Sequence, residues 1–95
     1  MVNWNKDYQI HTILFNKHKN KIEDAVKWLF DNDYKVRKIH ETLNEYRFRQ
    51  ISPETLKKHG FNQYRTKMID PNREIQLVIA YKDPFKGNVK RDLKK

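Results

Sequence analysis

Two arginines alternate with aromatic residues in the run Tyr46-Arg47-Phe48-Arg49-Gln50, near the middle of the chain. Successive side chains of a β-strand point to opposite faces, so the two rings would share one face and the two guanidinium groups the other. We expect the ring face to belong to the core, because the chain has few other residues to fill one. Stacking of the rings on bases is the alternative. The arginine face should then meet water or bind an anion.

The same alternation recurs later, in the run Tyr64-Arg65-Thr66-Lys67-Met68. If both strands lie in one sheet with a helix on its far side, the cations of the two runs form one basic surface. We predict that this surface binds the phosphate groups of nucleic acid, helped by cations of an earlier strand and of the C-terminal tail. The predicted binding residues are Lys35, Arg37, Arg47, Arg49, Arg65, Lys67, Lys90, Arg91, Lys94 and Lys95.

The charge of the whole chain favours a polyanionic partner. The 95 residues include 21 Lys and Arg against 12 Asp and Glu, which gives a formal net charge of +9. Such a balance favours nucleic acid, and less often an anionic membrane surface. The alternative is a basic protein whose charge has no specific partner. Binding through phosphates would be sensitive to salt and show little sequence preference, and it leaves DNA and RNA undistinguished.

A second function class is open from the same sequence, a small structural or adaptor protein that binds other proteins. Trp4, Phe85 and the apolar flank of the first predicted helix are its candidate docking points. Its anchors would be aromatic rather than basic, so its binding should tolerate high salt. The oligomeric state stays open in either class.

Catalytic, metal and cofactor chemistry finds little support in these residues. Ser52 is the only serine, and its position before Pro53 suits a helix N-cap rather than a nucleophile. Two glycines cannot make a phosphate loop or a dinucleotide fingerprint. The four histidines show no metal-ligand spacing, and the absence of cysteine excludes disulfides, thiolate metal sites and a cysteine nucleophile. We therefore expect no enzyme, no cofactor and no metal.

The number and distribution of apolar residues limit both the predicted location of the protein and the predicted size of its core. No run has the length of a secretory signal or approaches the roughly 18 apolar residues of a membrane span. We expect a soluble protein that is intracellular or packaged inside a particle. Hydrophobic residues make up 37% of the chain, so the core should be thin and rest on five Phe, five Tyr and two Trp.

The spacing of the apolar residues, and the capping and turn residues between them, predict the helices and strands that position these residues. We expect one α+β domain over residues 1–82, with the order β-α-β-β-α-β-β and a mainly antiparallel sheet of four or five strands. A helix over residues 21–32 should cover one face, with Asn20 and Glu23 as its capping box. Residues 52–60 predict a short second helix, and residues 83–95 a flexible basic tail.

The first hairpin decides where the arginines point. Its first arm, residues 34–40, alternates poorly, which predicts an irregularity near Lys38. The predicted register places Lys35 opposite Arg49. Arg37 then lies opposite Arg47, and like charges opposed across strands are unfavourable. A carboxylate of the hairpin, or an external anion, would have to supply the counter-charge.

Six short segments carry a resemblance to a known domain: Ala25-Val26-Lys27-Trp28-Leu29, Tyr34-Lys35, Glu41-Thr42, Tyr46-Arg47-Phe48-Arg49-Gln50, Tyr64-Arg65-Thr66-Lys67 and Leu77-Val78-Ile79-Ala80-Tyr81. Over residues 8–82 the chain resembles a small domain of unassigned activity. That domain occurs in tailed-phage proteins, some linked to prohead proteases, and in proteins of large eukaryotic DNA viruses. The chain departs from the pattern at Asp33, where a glycine is usual.

The resemblance implies a viral origin and a virion or assembly role, with other virion or assembly proteins as partners. It implies a location in the virion or in the cytoplasm or nucleus of the host cell. It brings no catalytic residue, because the domain has no settled chemistry. Nucleic-acid binding stays the predicted function, and a virion interaction module is the alternative.

Overall fold

The computed structural model describes residues 2–82. Its elements, in chain order, are β1 (Tyr8–Asn16), α1 (Ile22–Asp31), β2 (Ile39–Glu41), β3 (Glu45–Arg49), α2 (Pro53–Lys58), β4 (Phe61–Asp70) and β5 (Ile75–Lys82). The strands form one sheet in the order β2-β3-β1-β5-β4, and every neighbouring pair is antiparallel. The predicted α+β fold and element order are confirmed. The predicted tail, residues 83–95, lies outside the described residues.

Helix α1 packs on one face of the sheet, which we call the helix face. Ala25 and Leu29 are fully buried there, as the helical spacing of the apolar residues predicts. The sheet contributes the rest of this main core through Ile13, Phe15, Phe48, Ile75, Leu77 and Ile79. Phe48 is fully buried, so the core role predicted for the rings of the arginine run holds at this position.

The N-terminus of α1 differs from the predicted capping box. The N-cap is Lys21, and no side chain caps the helix. Asn20 is instead buried, and its Nδ2 donates hydrogen bonds to the backbone carbonyls of Asn16 at 2.9 Å and Arg73 at 2.8 Å. Its Oδ1 accepts from Arg73 Nε at 2.8 Å. The amide therefore joins β1 to the β4–β5 turn, and these three bonds hold it away from the helix end.

Helix α2 has the predicted punctuation and packs against the opposite face of the sheet. The backbone N–H of Thr55 donates to Ser52 Oγ at 3.2 Å, which is an N-cap. Gly60 follows the helix with φ 89°, a conformation that suits glycine. Leu56 and Phe61 are fully buried in a second, smaller cluster, which also contains Ala80, Trp4 and Ile51. One end of this face is therefore covered by α2.

The predicted register of the first hairpin is wrong. Strand β2 is only three residues long, and its pairs are Ile39 with Phe48 and His40 with Arg47. The preceding segment, which includes Lys35, is not a strand. A left-handed conformation at Lys38, with φ 58°, separates that segment from β2, so the irregularity predicted there exists. A single left-handed residue redirects the chain and removes the expected opposition of cations.

Candidate nucleic-acid interface

The cations of the two alternating runs lie on opposite faces of the sheet. Arg47 pairs with Leu14 of β1, and Arg49 pairs with Thr12, on the face opposite α1. In contrast, Arg65 pairs with Ile79, which belongs to the core beneath α1. Directly paired residues of antiparallel strands share a face. The prediction of one basic surface across both hairpins is therefore wrong.

Lys67 follows the same rule as Arg65, since it pairs with Leu77 of the main core. Strands β1 and β5 also separate β3 from β4 in the sheet. Alternation within a strand shows which residues share a face, but it does not show which face of the sheet that is. The predicted site thus divides into Arg47 and Arg49 on one face and Arg65 and Lys67 on the other.

Arg47 and Arg49 border a hollow of about 590 Å³ on the face opposite α1, which we call the arginine hollow. Two residues of a strand on the same face are about 6.6 to 6.8 Å apart, so the two guanidinium groups form an adjacent pair. Arg49 is exposed and Arg47 is half-buried. The remaining lining residues are His11, Thr12, Lys38, Ile39, His40 and Glu41.

The arginine hollow has an excess of positive charge. Among the residues that the structure describes, its lining has one carboxylate, Glu41, and Lys17 Nζ lies 2.5 Å from Glu41 Oε2. Within residues 2–82, neither Arg47 nor Arg49 has a carboxylate oxygen within 4.0 Å. The described part of the chain therefore supplies no carboxylate partner for either arginine.

A second hollow, of about 300 Å³, continues the basic surface beyond the arginine hollow. Lys38 and Arg49 line both hollows, and Lys35 and Arg37 join them in the second. No carboxylate lines this second hollow within the described residues. The structure therefore brings four of the predicted site residues together with Lys38, a cation that the sequence analysis did not single out.

Gln50 anchors the backbone of this second group beside β3. Its Nε2 donates to the carbonyl of Lys35 at 3.0 Å, and its Oε1 accepts from the Lys35 N–H at 2.8 Å. These two bonds replace the strand pairing that was predicted for Lys35. They fix the start of the basic segment while its side chains remain exposed to solvent.

His11 is a part of the arginine hollow that sequence reasoning missed. It lies at a register shift of β1 between Ile10 and Thr12, and its Nδ1 is 2.7 Å from the Ile51 carbonyl. Burial lowers the pKa of His11; the hydrogen bond to Ile51 opposes this, and the charges of Arg49 and Arg47 add to the lowering. Nothing in the sequence marked a β-bulge at this histidine.

Tyr64 of β4 extends this face beyond the hollow. Its ring meets the His11 ring edge-on, with 5.3 Å between the centroids. Tyr64 is nevertheless 42% exposed, so it remains accessible from solvent. An exposed ring beside a basic hollow offers stacking to an unpaired base.

Two further observations concern what the described residues do not contain. Within residues 2–82, no group of three or more His, Asp or Glu side chains is placed to hold a metal ion. In the same part of the chain, neither helix has the length and apolar character needed to cross a membrane. The predicted site residues Lys90, Arg91, Lys94 and Lys95 lie outside the described residues.

Comparisons of the chain with protein-family models, with curated proteins and with solved structures give no match. The resemblance to the domain of phage and large DNA virus proteins therefore stays a prediction. Any function has to be argued from the geometry of the surfaces described above.

Proposed function

We propose that this protein binds nucleic acid without catalysis, through phosphate contacts in the arginine hollow and the adjoining basic segment. The observation that carries the proposal is that neither Arg47 nor Arg49 has a carboxylate partner among residues 2–82. Glu41, the one carboxylate in the hollow, already has Lys17 as its partner. A pair of guanidinium groups that no carboxylate of the described residues neutralises is suited to phosphate oxygens, which guanidinium binds with two parallel hydrogen bonds.

The contacts available define the mode of binding. Five cations line the two hollows, namely Lys35, Arg37, Lys38, Arg47 and Arg49. Contacts of cations with phosphates position a nucleic acid but carry no sequence information, so binding should be salt-sensitive and nonspecific. The exposed ring of Tyr64 on the same face can stack on an unpaired base, and we therefore expect single strands to bind more tightly than duplexes.

Two predictions from the sequence, the basic tail and the virion role, are compatible with this proposal. The tail cations Lys90, Arg91, Lys94 and Lys95 would add phosphate contacts and steepen the dependence on salt. A virion or assembly role, which the resemblance implies, is compatible with binding a viral genome and remains the alternative. Arg65 and Lys67 are not part of the proposed interface, because they lie on the helix face.

A pair of matched double variants tests the proposal. We expect Arg47→Ala with Arg49→Ala to weaken the binding of a fluorescent single-stranded oligonucleotide and to lower the slope of log Kd against log salt. Each lost phosphate contact should reduce that slope by about 0.7 for a single strand. The control, Arg65→Ala with Lys67→Ala, removes the same formal charge from the other face and should leave the slope nearly unchanged. Equal losses in the two variants would contradict the proposed interface.

A further inference from the structure

Strand β4 forms a long edge of the sheet. Its ten residues, Phe61–Asp70, pair with β5 on one side only, and β4 is the last strand in the sheet order of the described residues. The side chains of residues 62–69 are exposed. Register shifts lie between Phe61 and Gln63 and between Met68 and Asp70, so the stretch from residue 64 to residue 68 is regularly paired. The outer backbone groups of such a strand are a template for another strand.

The helix-face side of this edge is basic. Lys67 and Lys6 line a hollow of about 500 Å³, and Arg65 lines another of about 440 Å³. Among residues 2–82, one carboxylate, Asp7, lines these two hollows, against the cations Lys6, Arg65 and Lys67. Within residues 2–82, none of these cations has a carboxylate oxygen within 4.0 Å.

The basic edge also has an apolar floor. The larger hollow is lined by core and aromatic side chains, which are Tyr8, Ile10, Tyr34, Ile69, Leu77, Ile79 and Tyr81. On the other face of the same strand, Tyr64 and Met68 are 42% and 41% exposed. A strand added to β4 would therefore meet cations on one face and exposed apolar side chains on the other.

A second copy of this chain is a poor occupant of the edge. A two-fold antiparallel pairing of β4 with itself must centre on one residue. Centred on Thr66, it sets Arg65 against Lys67; centred on either cation, it sets that cation against itself. Like charges directly opposed across strands are destabilising. The charge pattern of the edge thus disfavours self-association in the three registers centred on residues 65, 66 and 67.

The geometry points to a different occupant: an extended acidic segment of a partner protein that adds to β4 as a sixth strand. Its acidic side chains, at every second position, would face Arg65 and Lys67. Its apolar side chains, at the intervening positions, would lie beside Tyr64 and Met68. Main-chain hydrogen bonds would supply affinity, and the alternation of acid and apolar residues would supply specificity. This inference concerns the edge of β4, and its charged contacts, Arg65 and Lys67, do not rest on nucleic-acid binding in the arginine hollow.

A designed peptide tests the inference. A capped peptide of about six residues that alternates Glu and Val, the length of a typical strand, is titrated into the full chain and followed by calorimetry and amide hydrogen exchange. We expect saturable binding with protection of outward-facing β4 amides. The same peptide with alternate backbone nitrogens methylated keeps its charges but cannot complete a ladder, and it should not bind. Equal binding of the methylated peptide would overturn strand addition.

Charge reversal on the protein supplies the second arm. Arg65→Glu with Lys67→Glu should weaken binding of the Glu peptide about tenfold or more, since two exposed attractions become repulsions. The same variant should bind a Lys-Val peptide, and this rescue shows that the variant is folded. Arg47→Glu with Arg49→Glu lies on the other face and should bind the Glu peptide as the unmodified chain does.

The remaining outcomes each contradict the inference. No binding of the Glu peptide would mean that the charged edge only prevents pairing, as charges on edge strands often do. A concentration-dependent dimer that protects β4 amides would make a second copy the occupant. Protection of β4 by an oligonucleotide in place of the peptide would assign this edge to nucleic acid.

Discussion

At the scale of single residues, the function proposed for this chain depends on which charges are already paired. Lys17 pairs with Glu41, and within residues 2–82 this leaves Arg47 and Arg49 in the arginine hollow without a carboxylate partner. His11 beside them is held by the Ile51 carbonyl and shares their positive field. Residue types alone predicted the two arginines but could not predict these partners, since ion pairs between distant segments depend on the register of the sheet.

His11 should make the stability of the fold depend on pH. Because its pKa is lowered in the folded protein, the unfolded chain takes up the proton at a higher pH than the folded chain does. The contribution of neutral His11 to the free energy of unfolding is therefore fully present above the ordinary histidine pKa of about 6.5, and it falls as the pH drops through that value. We expect the urea midpoint to fall between about pH 7.5 and about pH 5.5, and to fall less in His11→Gln.

The chosen pH window separates His11 from the carboxylates. Hydrogen bonds from Lys19 and Asn16, together with the Lys19 charge, lower the pKa of Glu74. The stability that this carboxylate contributes to the fold is therefore lost only at more acidic pH. His18→Gln is the matched control, because His18 is an exposed turn residue with a weak 3.3 Å contact to Asn44. A pH dependence of the midpoint that is identical in His11→Gln and in the unmodified chain would contradict the assigned role.

At the scale of elements, the sequence predicted more about what each segment is than about where it faces. Both helices were predicted because their signals are local. These signals are the spacing of apolar residues in α1 and the Ser52–Pro53 start of α2. The alternation in β3 and β4 correctly grouped side chains within each strand. It could not relate the strands to each other, since one residue of register shift inverts a face. Asn20 was wrongly predicted as the N-cap of α1, because the same amide side chain can also form hydrogen bonds that join buried segments.

The C-terminal end of α1 offers a test of backbone conformation. Asp33 follows the helix with φ 63°, a left-handed conformation that costs most residues about 1 to 2 kcal/mol and glycine little. We expect Asp33→Gly to stabilise the fold by about 0.5 kcal/mol or more, measured from the urea midpoint, because relief of this cost outweighs the added freedom of the unfolded chain. Asn32→Gly is the control. Asn32 has φ −109°, where glycine relieves no backbone cost, so this variant should lower the stability of the fold. A loss of stability in Asp33→Gly would show that the turn is not strained.

At the scale of the whole molecule, the basic residues of the candidate interface and of the β4 edge do not form one continuous surface of the sheet. Those of the arginine hollow and its adjoining segment lie on one face, and Arg65 and Lys67 lie on the other. Composition predicted an anionic partner, but it could not predict two basic regions separated by a hydrophobic core. The two regions have separate cations, and Tyr64 is the residue that both proposed partners would contact.

The central claim is that nucleic acid binds the face opposite α1, and an NMR titration tests it most directly. A short single-stranded oligonucleotide added to the ¹⁵N-labelled protein should shift the backbone and guanidinium signals of Arg47 and Arg49, together with signals from His11 and Tyr64. The signals of Arg65, Lys67 and the exposed side of α1 should change little. Shifts centred on β4 and α1, with Arg47 and Arg49 unaffected, would contradict the account.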